Sequence, residues 1–353
     1  MTFGPDHYVP VIKVKRGEKL ALQRLALRLG SQITPLLEIV ERTPEKSIAR
    51  HLDTAFKDLA ESVRAYPRSL LDARELAPDG PPAAVEVFRR AAAAAIAFTP
   101  VTGISRNADT SAALKYRANG LALRLTRVEF ESGHLTDRLR NFIREHHLQE
   151  EEIDLIVDLG PVEDLVVEGI ASLIDAFIAD IPHHGRWRTF TISACSFPLS
   201  MALVDRESHA FAERSDWIAW RDHLHRRRQT LTRLPTFSDC AIQHPRGVEG
   251  FDPRIMQVSA SIRYTLSEQW LLVKGVSTRF TQPSIQFPEL ATRLVYGHLR
   301  THFRGANHCE GCASIRAAAD GAPGFGSAEV WRRLGTTHHI STVVEQLRTL
   351  PST

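Results

Sequence analysis

The chain has 353 residues, of which 43% are hydrophobic and 24% are charged, a composition typical of globular proteins. Its 44 basic and 41 acidic residues give a net charge of +3, which is too even to indicate a nucleic-acid partner by itself. Four cysteines do not form a disulfide framework in a chain of this length, and no apolar run approaches the ~20 residues of a membrane span. The first residues lack the basic and apolar regions of a secretory signal, so a cytoplasmic protein with no membrane partner is expected.

Eight short apolar runs recur along the chain about every 25–50 residues, and helix-like stretches separate most of them. The runs lie at residues 8–14, 33–39, 69–73, 95–101, 121–126, 153–159, 188–195 and 255–264. Alternating strands and helices imply a parallel sheet, and eight such units fit a closed barrel. We therefore predict an α/β fold, a (β/α)8 TIM-barrel-like domain with an irregular C-terminal hairpin and helical additions.

The regular alternation of apolar runs and helix-like stretches ends after the seventh run. Residues 237–243 and 256–264 are alternative eighth strands, because 256–264 also reads as a hairpin with residues 270–274. We interpret the whole chain, residues 1–353, as one barrel-like domain. Within it, residues 199–250 and 300–330 are predicted to be insertions or irregular segments.

Polar side chains at the carboxyl ends of the strands converge on one mouth of a (β/α)8 barrel. Carboxylates end the second, third and sixth predicted strands, at Glu38, Asp72 and Asp158. Such a trio can bind a divalent cation or act as general acid and base. Basic groups at other strand ends would hold a phosphorylated or nucleotide-like substrate, because guanidinium groups form bidentate contacts with phosphate. The basic candidates are Lys13, Lys15, Arg74, Arg124 and Arg263, and Tyr264 beside Arg263 is a further candidate for substrate binding.

These assignments have structural alternatives. Acidic and basic groups at strand ends also pair with one another, and such ion-pair networks carry no chemistry. Lys13 and Lys15 lie two residues apart on one face of a strand and precede a helix, whose N-terminus could bind an anion with them. The alternative is that residues 15–19 form a solvated loop.

The chain contains one CxxC motif, Cys309-Glu-Gly-Cys312, and His308 precedes it. Two sulfurs and two histidines complete a structural zinc site, so His308, Cys309 and Cys312 are candidate ligands. A second CxxC is missing, and the distant pair His338-His339 could supply a further ligand. The alternative is two ordinary cytosolic thiols in a loop. A redox pair has less support, because no thioredoxin-like βαβ pattern surrounds the motif.

Trp217, Trp220 and a basic run at residues 223–228 could stack on bases and neutralise phosphates. The two tryptophans are three residues apart, however, so they share a helix face that would most simply pack against the barrel. The chain has no P-loop, G-x-G-x-x-G or H-E-x-x-H motif. These absences argue against simple kinase, dinucleotide-dependent dehydrogenase and zincin functions.

Several blocks of sequence resemble the beta family protein group found in bacteria and phages. They are Tyr8-Val-Pro-Val-Ile-Lys-Val-Lys-Arg-Gly-Glu, Ile33-Thr-Pro-Leu-Leu-Glu-Ile, Ser261-Ile-Arg-Tyr-Thr with Trp270, and Trp331-Arg-Arg-Leu-Gly-Thr-Thr-His-His. The blocks span nearly the whole chain and keep their order. The resemblance implies a single full-length domain and is compatible with a role in phage–host conflict. It carries over no catalytic residue, because the family name describes no reaction.

Two functions of different classes follow. One is a barrel hydrolase or lyase that acts on a phosphorylated or nucleotide-derived substrate, with a divalent cation as its candidate cofactor. The other is a non-catalytic recognition module, or a subunit of a phage-defence or phage-encoded complex, that binds a protein or nucleic acid. The enzyme is expected to hold its three carboxylates within about 8 Å of each other in an open pocket beside an arginine. Carboxylates that are scattered, or closed off by mutual ion pairs, favour the recognition module.

Overall fold

The computed structural model describes residues 3–247, 259–279 and 281–351 of the chain. The chain divides into two compact units. The barrel unit comprises Met1–Lys15, Ala26–Cys195 and Ser215–Cys240, and the C-terminal unit comprises Arg16–Leu25, Ser196–Arg214 and Ala241–Thr353. The assignment of residues 1–353 to one domain stays a prediction, as do the insertions at 199–250 and 300–330.

The barrel unit is built on eight parallel strands that lie side by side in chain order. They are β1 (Val11–Lys13), β2 (Leu36–Glu38), β3 (Ser69–Asp72), β4 (Phe98–Thr102), β5 (Leu121–Thr126), β6 (Ile153–Pro161), β7 (Thr189–Cys195) and β9 (Thr236–Ser238), while β8 (His209–Glu213) belongs to the C-terminal unit. Most of their side chains are buried, as is usual for parallel strands covered on both faces. With helices in most of the connections, the predicted (β/α)8 fold class is confirmed.

The barrel closes between its first and last strands. The backbone N–H groups of Val9 and Val11 donate to the carbonyl oxygens of Phe237 and Asp239, at 3.1 and 2.8 Å. Tyr8 forms a further parallel bridge with Phe237. These contacts join the two edges of the sheet, so the strands form a nearly closed ring.

The eighth barrel strand is β9, which overlaps the first predicted alternative, residues 237–243. The second alternative, 256–264, is wrong as a barrel strand. Residues 256–258 of that alternative lie outside the described part of the chain, and β10 (Ser259–Thr265) pairs antiparallel with β11 (Gln269–Ser277). Side chains of β10 alternate between buried and half-buried positions, which suits a sheet with one covered face.

Helices occupy most of the connections between the barrel strands. They are α1 (Arg16–Leu29), α2 (Ile48–Phe56), α3 (Leu59–Val63), α4 (Pro81–Ala93), α5 (Asn107–Lys115), α6 (Arg127–Glu131), α7 (Leu135–Glu145), α8 (Val167–Ala179) and α9 (Ser215–Ala219). Local sequence sets several of their ends. For example, Gly80 adopts a left-handed φ of 79° immediately before α4, and Pro81 then occupies the first helical position, where its missing N–H costs nothing.

The C-terminal unit contains a three-stranded antiparallel sheet in the order β10-β11-β8. The predicted hairpin is therefore confirmed, whereas β8 has no counterpart among the predicted strands. Three helices accompany the sheet: α10 (Pro283–Val295), α11 (Glu310–Ala319) and α12 (Ala328–Thr349). The sheet and these helices share one apolar core, which includes Tyr264, Leu271, Phe287, Cys312, Trp331 and Leu334. Within the described residues, no helix is both long and apolar enough to cross a membrane.

Candidate functional site

The carboxyl ends of the barrel strands place the predicted acidic residues side by side. Lys13 at the end of β1 pairs in register with Glu38 of β2, and Glu38 pairs with Asp72 of β3. On the other side of the barrel, Asp158 of β6 pairs with the last residue of β5. All of these side chains belong to the barrel unit.

A single guanidinium group contacts all three predicted carboxylates. Nη1 of Arg124 donates to Oε1 of Glu38 at 2.6 Å and to Oδ2 of Asp72 at 3.0 Å. Nε of Arg124 donates to Oδ2 of Asp158 at 2.8 Å. Arg124 is 2% exposed and Asp72 is fully buried. The three acids therefore meet around one buried positive charge.

Two more arginines and two backbone groups fill the remaining acceptor positions of the aspartates. Nη2 of Arg106 donates to Oδ1 of Asp72 at 2.6 Å, and the backbone N–H of Arg74 donates to the same oxygen at 3.0 Å. Nη1 of Arg74 contacts Oδ2 of Asp158 at 3.4 Å, and the backbone N–H of Gly160 donates to Oδ1 of the same aspartate at 2.9 Å. Each carboxylate oxygen of the two aspartates thus has a protein donor. We call the following residues the Arg124 cluster: Glu38, Asp72, Arg74, Arg106, Arg124 and Asp158.

The pKa values of the two aspartates reflect this pairing. Burial would raise the pKa of Asp72, but the charges of Arg106 and Arg124 outweigh it and hold the pKa well below its usual range. Burial would likewise raise the pKa of Asp158, but the charges of Arg124 and Arg74 outweigh it and lower this pKa. Both groups are therefore carboxylates at neutral pH and act only as hydrogen-bond acceptors.

The Arg124 cluster has one partly exposed edge, formed by Arg74 and its neighbour Glu75. Both side chains are 35% exposed, and Nε of Arg74 lies 3.2 Å from Oε1 of Glu75. Burial raises the pKa of Glu75, the charges of Glu38 and Asp72 add to the shift, and Arg74 and Lys13 oppose it. Glu75 was not among the predicted site residues, because it lies three positions beyond the end of β3. The adjacent charged pair Arg74-Glu75 shortly after β3 is the sequence signal that could have identified it.

The two predicted lysines lie near the same end of β1. Lys13 is the last residue of β1 and is half-buried, whereas Lys15 is exposed immediately before α1. Their roles in anion binding stay predictions.

Arg263 and Tyr264 do not lie on a barrel strand. Both belong to β10 of the C-terminal unit, so their predicted placement at the barrel mouth is corrected. Nη1 of Arg263 donates to the carbonyl oxygen of Ile242 at 2.7 Å, and burial lowers the pKa of Arg263 to about 9. Tyr264 is fully buried, and its hydroxyl lies 3.3 Å from Sγ of Cys312. Their role in substrate binding stays a prediction.

The predicted metal ligands His308, Cys309 and Cys312 also lie in the C-terminal unit, at the N-terminus of α11. The structure brings His338 of α12 to them: its Nδ1 atom lies 3.6 Å from Sγ of Cys309 and 3.3 Å from Sγ of Cys312. His308, Cys309 and His338 offer ligand atoms that all lie within 4.8 Å of one another. His338 was named in the sequence as a distant source of a ligand, and no spacing rule connected it with the motif.

The tryptophans near the basic run are part of the barrel unit's core. Trp217 and Trp220 are each 1% exposed and stack on one another with ring centroids 5.9 Å apart. Both also contact the ring of Phe237 in β9. They have no exposed face on which a base could stack, so the packing alternative accounts for them.

A second set of charged residues lies at the amino-terminal ends of the strands, at the opposite end of the barrel from the Arg124 cluster. A cavity of about 570 Å³ lies there and is lined in part by Arg68, Arg117 and Arg188. Asp154 is fully buried and accepts hydrogen bonds from both Arg68 and Arg188. Conserved chemistry in (β/α)8 barrels is found at the carboxyl ends of strands, and groups at this end contribute to stability.

Comparison with known proteins bears on the family and leaves the reaction open. None of the curated proteins compared with the chain matches it. The family model described as Beta protein matches residues 8–345, which is nearly the whole chain. The chain therefore belongs to the Beta protein family.

Proposed function

We propose that the barrel unit is a non-catalytic recognition module that binds a phosphate-bearing small ligand at the carboxyl ends of its strands. The observation that carries this proposal is the Arg124 cluster. Three carboxylates that a hydrolase or lyase would use for proton transfer or metal binding contact one buried guanidinium instead. Closure by mutual ion pairs is the arrangement expected of a structural scaffold.

The same contacts weaken the case for a divalent cation at this site. A cation needs carboxylate oxygens with free lone pairs that point into one space. All four oxygens of Asp72 and Asp158 already accept hydrogen bonds from arginines or backbone N–H groups. We therefore expect magnesium and manganese to leave the melting temperature of the barrel unit unchanged.

Arg74 is the cluster member best suited to contact a ligand. Its contacts to Asp158 and Glu75 measure 3.4 and 3.2 Å, which is long for charge-assisted hydrogen bonds of about 2.7–2.9 Å. Such long contacts can be exchanged for shorter bidentate bonds to a phosphate group. Lys13 and Lys15, near the end of β1, would add positive charge to a ligand bound here.

We expect the Arg74→Ala variant to bind inorganic pyrophosphate at least about tenfold more weakly than the wild type. A hydrogen bond to a charged group contributes about 1.5–3 kcal/mol, and 1.4 kcal/mol corresponds to a tenfold change in Kd. Isothermal titration calorimetry of both proteins at constant ionic strength measures the difference. The Arg140→Ala variant is the control, because Arg140 is an exposed arginine on α7. Equal binding by the Arg74→Ala variant and the wild type would contradict the proposal.

A hydrolase or lyase at the same edge is a second candidate, favoured by the raised pKa of Glu75 beside Arg74. A carboxyl group with a raised pKa can donate and accept a proton closer to neutral pH, and Arg74 would hold the phosphate. If the chain turns over simple phosphomonoesters or phosphodiesters, we expect Glu75→Gln to lower kcat by about 10²–10⁴-fold. Pyrophosphate binding should be retained in that variant. Phosphorus NMR of the wild type with these esters decides between the two candidates, because a recognition module leaves them intact.

The remaining hypotheses concern partners and location. A nucleic-acid or protein partner, a phage-defence complex and a cytoplasmic location all stay predictions. The basic run gives little added support for nucleic acid, because Arg226 and Arg227 pair with Asp222 and Asp175 at 3.0 and 2.8 Å.

A further inference from the structure

Four metal-ligating side chains of the C-terminal unit converge at the N-terminus of α11. Cys309 and Cys312 are one helical turn apart, and His338 faces both sulfurs from α12. Cys309, Cys312 and His338 are each at most 4% exposed, and His308 is largely buried. Together they offer two sulfurs and two imidazoles, which is the donor set of a closed structural zinc site.

The spacing of the donor atoms matches the size of a zinc ion. Zinc binds cysteine sulfur at about 2.3 Å and histidine nitrogen at about 2.0–2.1 Å, so in a tetrahedron the sulfur and nitrogen atoms lie roughly 3.6 Å apart. Nδ1 of His338 lies 3.6 Å from Sγ of Cys309 and 3.3 Å from Sγ of Cys312. The ligand atom of His308 lies within 4.8 Å of those of Cys309 and His338. Three of the four donors therefore lie close enough together to surround one ion, and the fourth, Cys312, contacts His338 directly.

The surrounding hydrogen bonds orient these groups as ligands. Nε2 of His338 lies 2.8 Å from the carbonyl oxygen of Thr265, which can only accept, so Nε2 carries the proton and Nδ1 presents its lone pair to the sulfurs. The ring of His338 also stacks on Tyr264, with centroids 4.0 Å apart. Nδ1 of His308 lies 3.3 Å from Oε2 of Glu345, a carboxylate partner of the kind that metal-bound histidines commonly have. Nε2 of His308 lies 3.1 Å from Oγ1 of Thr342, and it would exchange this contact for the ion.

The sulfurs likewise have donors that stabilise thiolates. The hydroxyl of Tyr264 accepts the backbone N–H of Arg304 at 3.0 Å, so its own proton can point to Sγ of Cys312, 3.3 Å away. Sγ of Cys309 accepts the backbone N–H of Cys312 at 3.4 Å. Because metal-bound cysteine is a thiolate, each of these bonds favours the ligating form.

Gly311, between the two cysteines, allows the CxxC motif to come close to α12. A Cβ atom on Gly311 would lie 2.7 Å from the carbonyl oxygen of Leu334 and 3.1 Å from the backbone nitrogen of His338. Glycine at this position therefore allows the first turn of α11 to approach the backbone of α12 closely. That approach brings the CxxC motif within reach of a histidine 26 residues further along the chain.

We propose that Cys309, Cys312, His338 and His308 bind one structural zinc ion that joins α11 to α12. The site is closed, because four protein ligands complete a tetrahedron and leave no position for water or substrate. This inference concerns the C-terminal unit and is independent of the function proposed for the barrel unit.

Metal analysis of the purified full-length chain tests the proposal. We expect inductively coupled plasma mass spectrometry to find one equivalent of zinc in the wild type, with loss of the metal in Cys309→Ser and His338→Gln. The Cys240→Ser variant should keep its zinc, because Cys240 is a buried cysteine of the barrel unit. Replacement of zinc by cobalt should give the intense visible bands of a tetrahedral site and a sulfur-to-cobalt charge-transfer band. The cobalt spectrum needs no variant, so it decides the question even if the substituted chains fail to fold.

Three results would overturn the proposal. One is a wild-type chain that binds no zinc after expression and dialysis with the metal. Another is full retention of zinc by folded Cys309→Ser. The third is a Cys309–Cys312 disulfide in protein purified without oxidant, detected by mass spectrometry of alkylated peptides, since a disulfide removes both thiolate ligands.

Discussion

The Arg124→Met variant is expected to have a free energy of unfolding about 3–5 kcal/mol lower than that of the wild type at neutral pH. Arg124 forms ion pairs with Glu38, Asp72 and Asp158, and its side chain is almost fully buried. Methionine retains much of the apolar volume but removes the guanidinium group that all three buried carboxylates share, leaving Arg106 beside Asp72 and Arg74 beside Asp158. An uncompensated buried charge costs far more than an ordinary surface contact, which is why the expected effect is large.

The pH dependence of this effect has a definite sign. In the wild type the pKa values of Asp72 and Asp158 are lowered, so their contribution to stability is complete above the unfolded value near 4 and is lost as the pH falls through the folded values. In the variant, burial without Arg124 raises the carboxyl pKa values, and the folded state takes up protons more readily than the unfolded state. The variant should therefore gain stability as the pH is lowered from 7 towards 5, and its difference from the wild type should shrink.

Urea denaturation at several pH values measures both the free energy of unfolding and its pH dependence. The Arg140→Met variant is the matched control, because Arg140 and its partner Asp137 are largely exposed, and a change within about 0.5 kcal/mol is expected there. Adding Glu38→Gln to Arg124→Met should recover part of the loss by removing one uncompensated charge. An Arg124→Met variant as stable as the wild type at pH 7 would show that the cluster makes no net contribution to folding.

The meeting of Glu38, Asp72, Asp158 and Arg124 could be predicted from the sequence because each residue lies at or near the carboxyl end of an apolar strand. Strand ends converge in a barrel whatever the residues are, so the position follows from the fold class. The sequence could not show that one guanidinium contacts all three acids. That outcome depends on side-chain conformations inside the barrel, and it determines whether the acids are free for chemistry.

The placement of Arg263 and Tyr264 and the contact of His338 with the CxxC motif could not be predicted, for two different physical reasons. The misplacement of Arg263 and Tyr264 arose because a short apolar run reads alike in a parallel barrel and in an antiparallel hairpin, and only the pairing partner distinguishes them. The sequence offered the pair His338-His339 only as a distant source of a ligand for the CxxC motif, because the contact of His338 depends on how α11 packs against α12. Gly311 was the local hint, since a CxGC turn permits close helix packing, but glycine alone does not identify its neighbour.

Asp154, at the amino-terminal ends of the strands, is the residue whose loss should have the second large effect. Nη1 and Nη2 of Arg68 donate to its carboxylate at 2.5 and 3.0 Å, and Nε and Nη2 of Arg188 donate at 3.1 and 2.6 Å. Burial opposes ionisation of Asp154, but Arg188 and Arg68 lower its pKa, so it is a carboxylate at neutral pH. Asp154→Ala leaves two largely buried guanidinium groups beside each other, and we expect the free energy of unfolding to fall by about 3–5 kcal/mol.

Sulfate should restore part of this stability in the variant. Arg68 and Arg188 line a cavity of about 570 Å³, which has room for a dianion once the carboxylate is removed. Because sulfate also stabilises proteins in general, the relevant quantity is the gain in sulfate over chloride at equal ionic strength, compared between Asp154→Ala and the wild type. The exposed Asp137→Ala variant controls for the loss of one negative charge. A larger gain in Asp154→Ala identifies the two arginines as a latent anion site, whereas equal gains in all three proteins would show that sulfate does not take the place of the lost carboxylate.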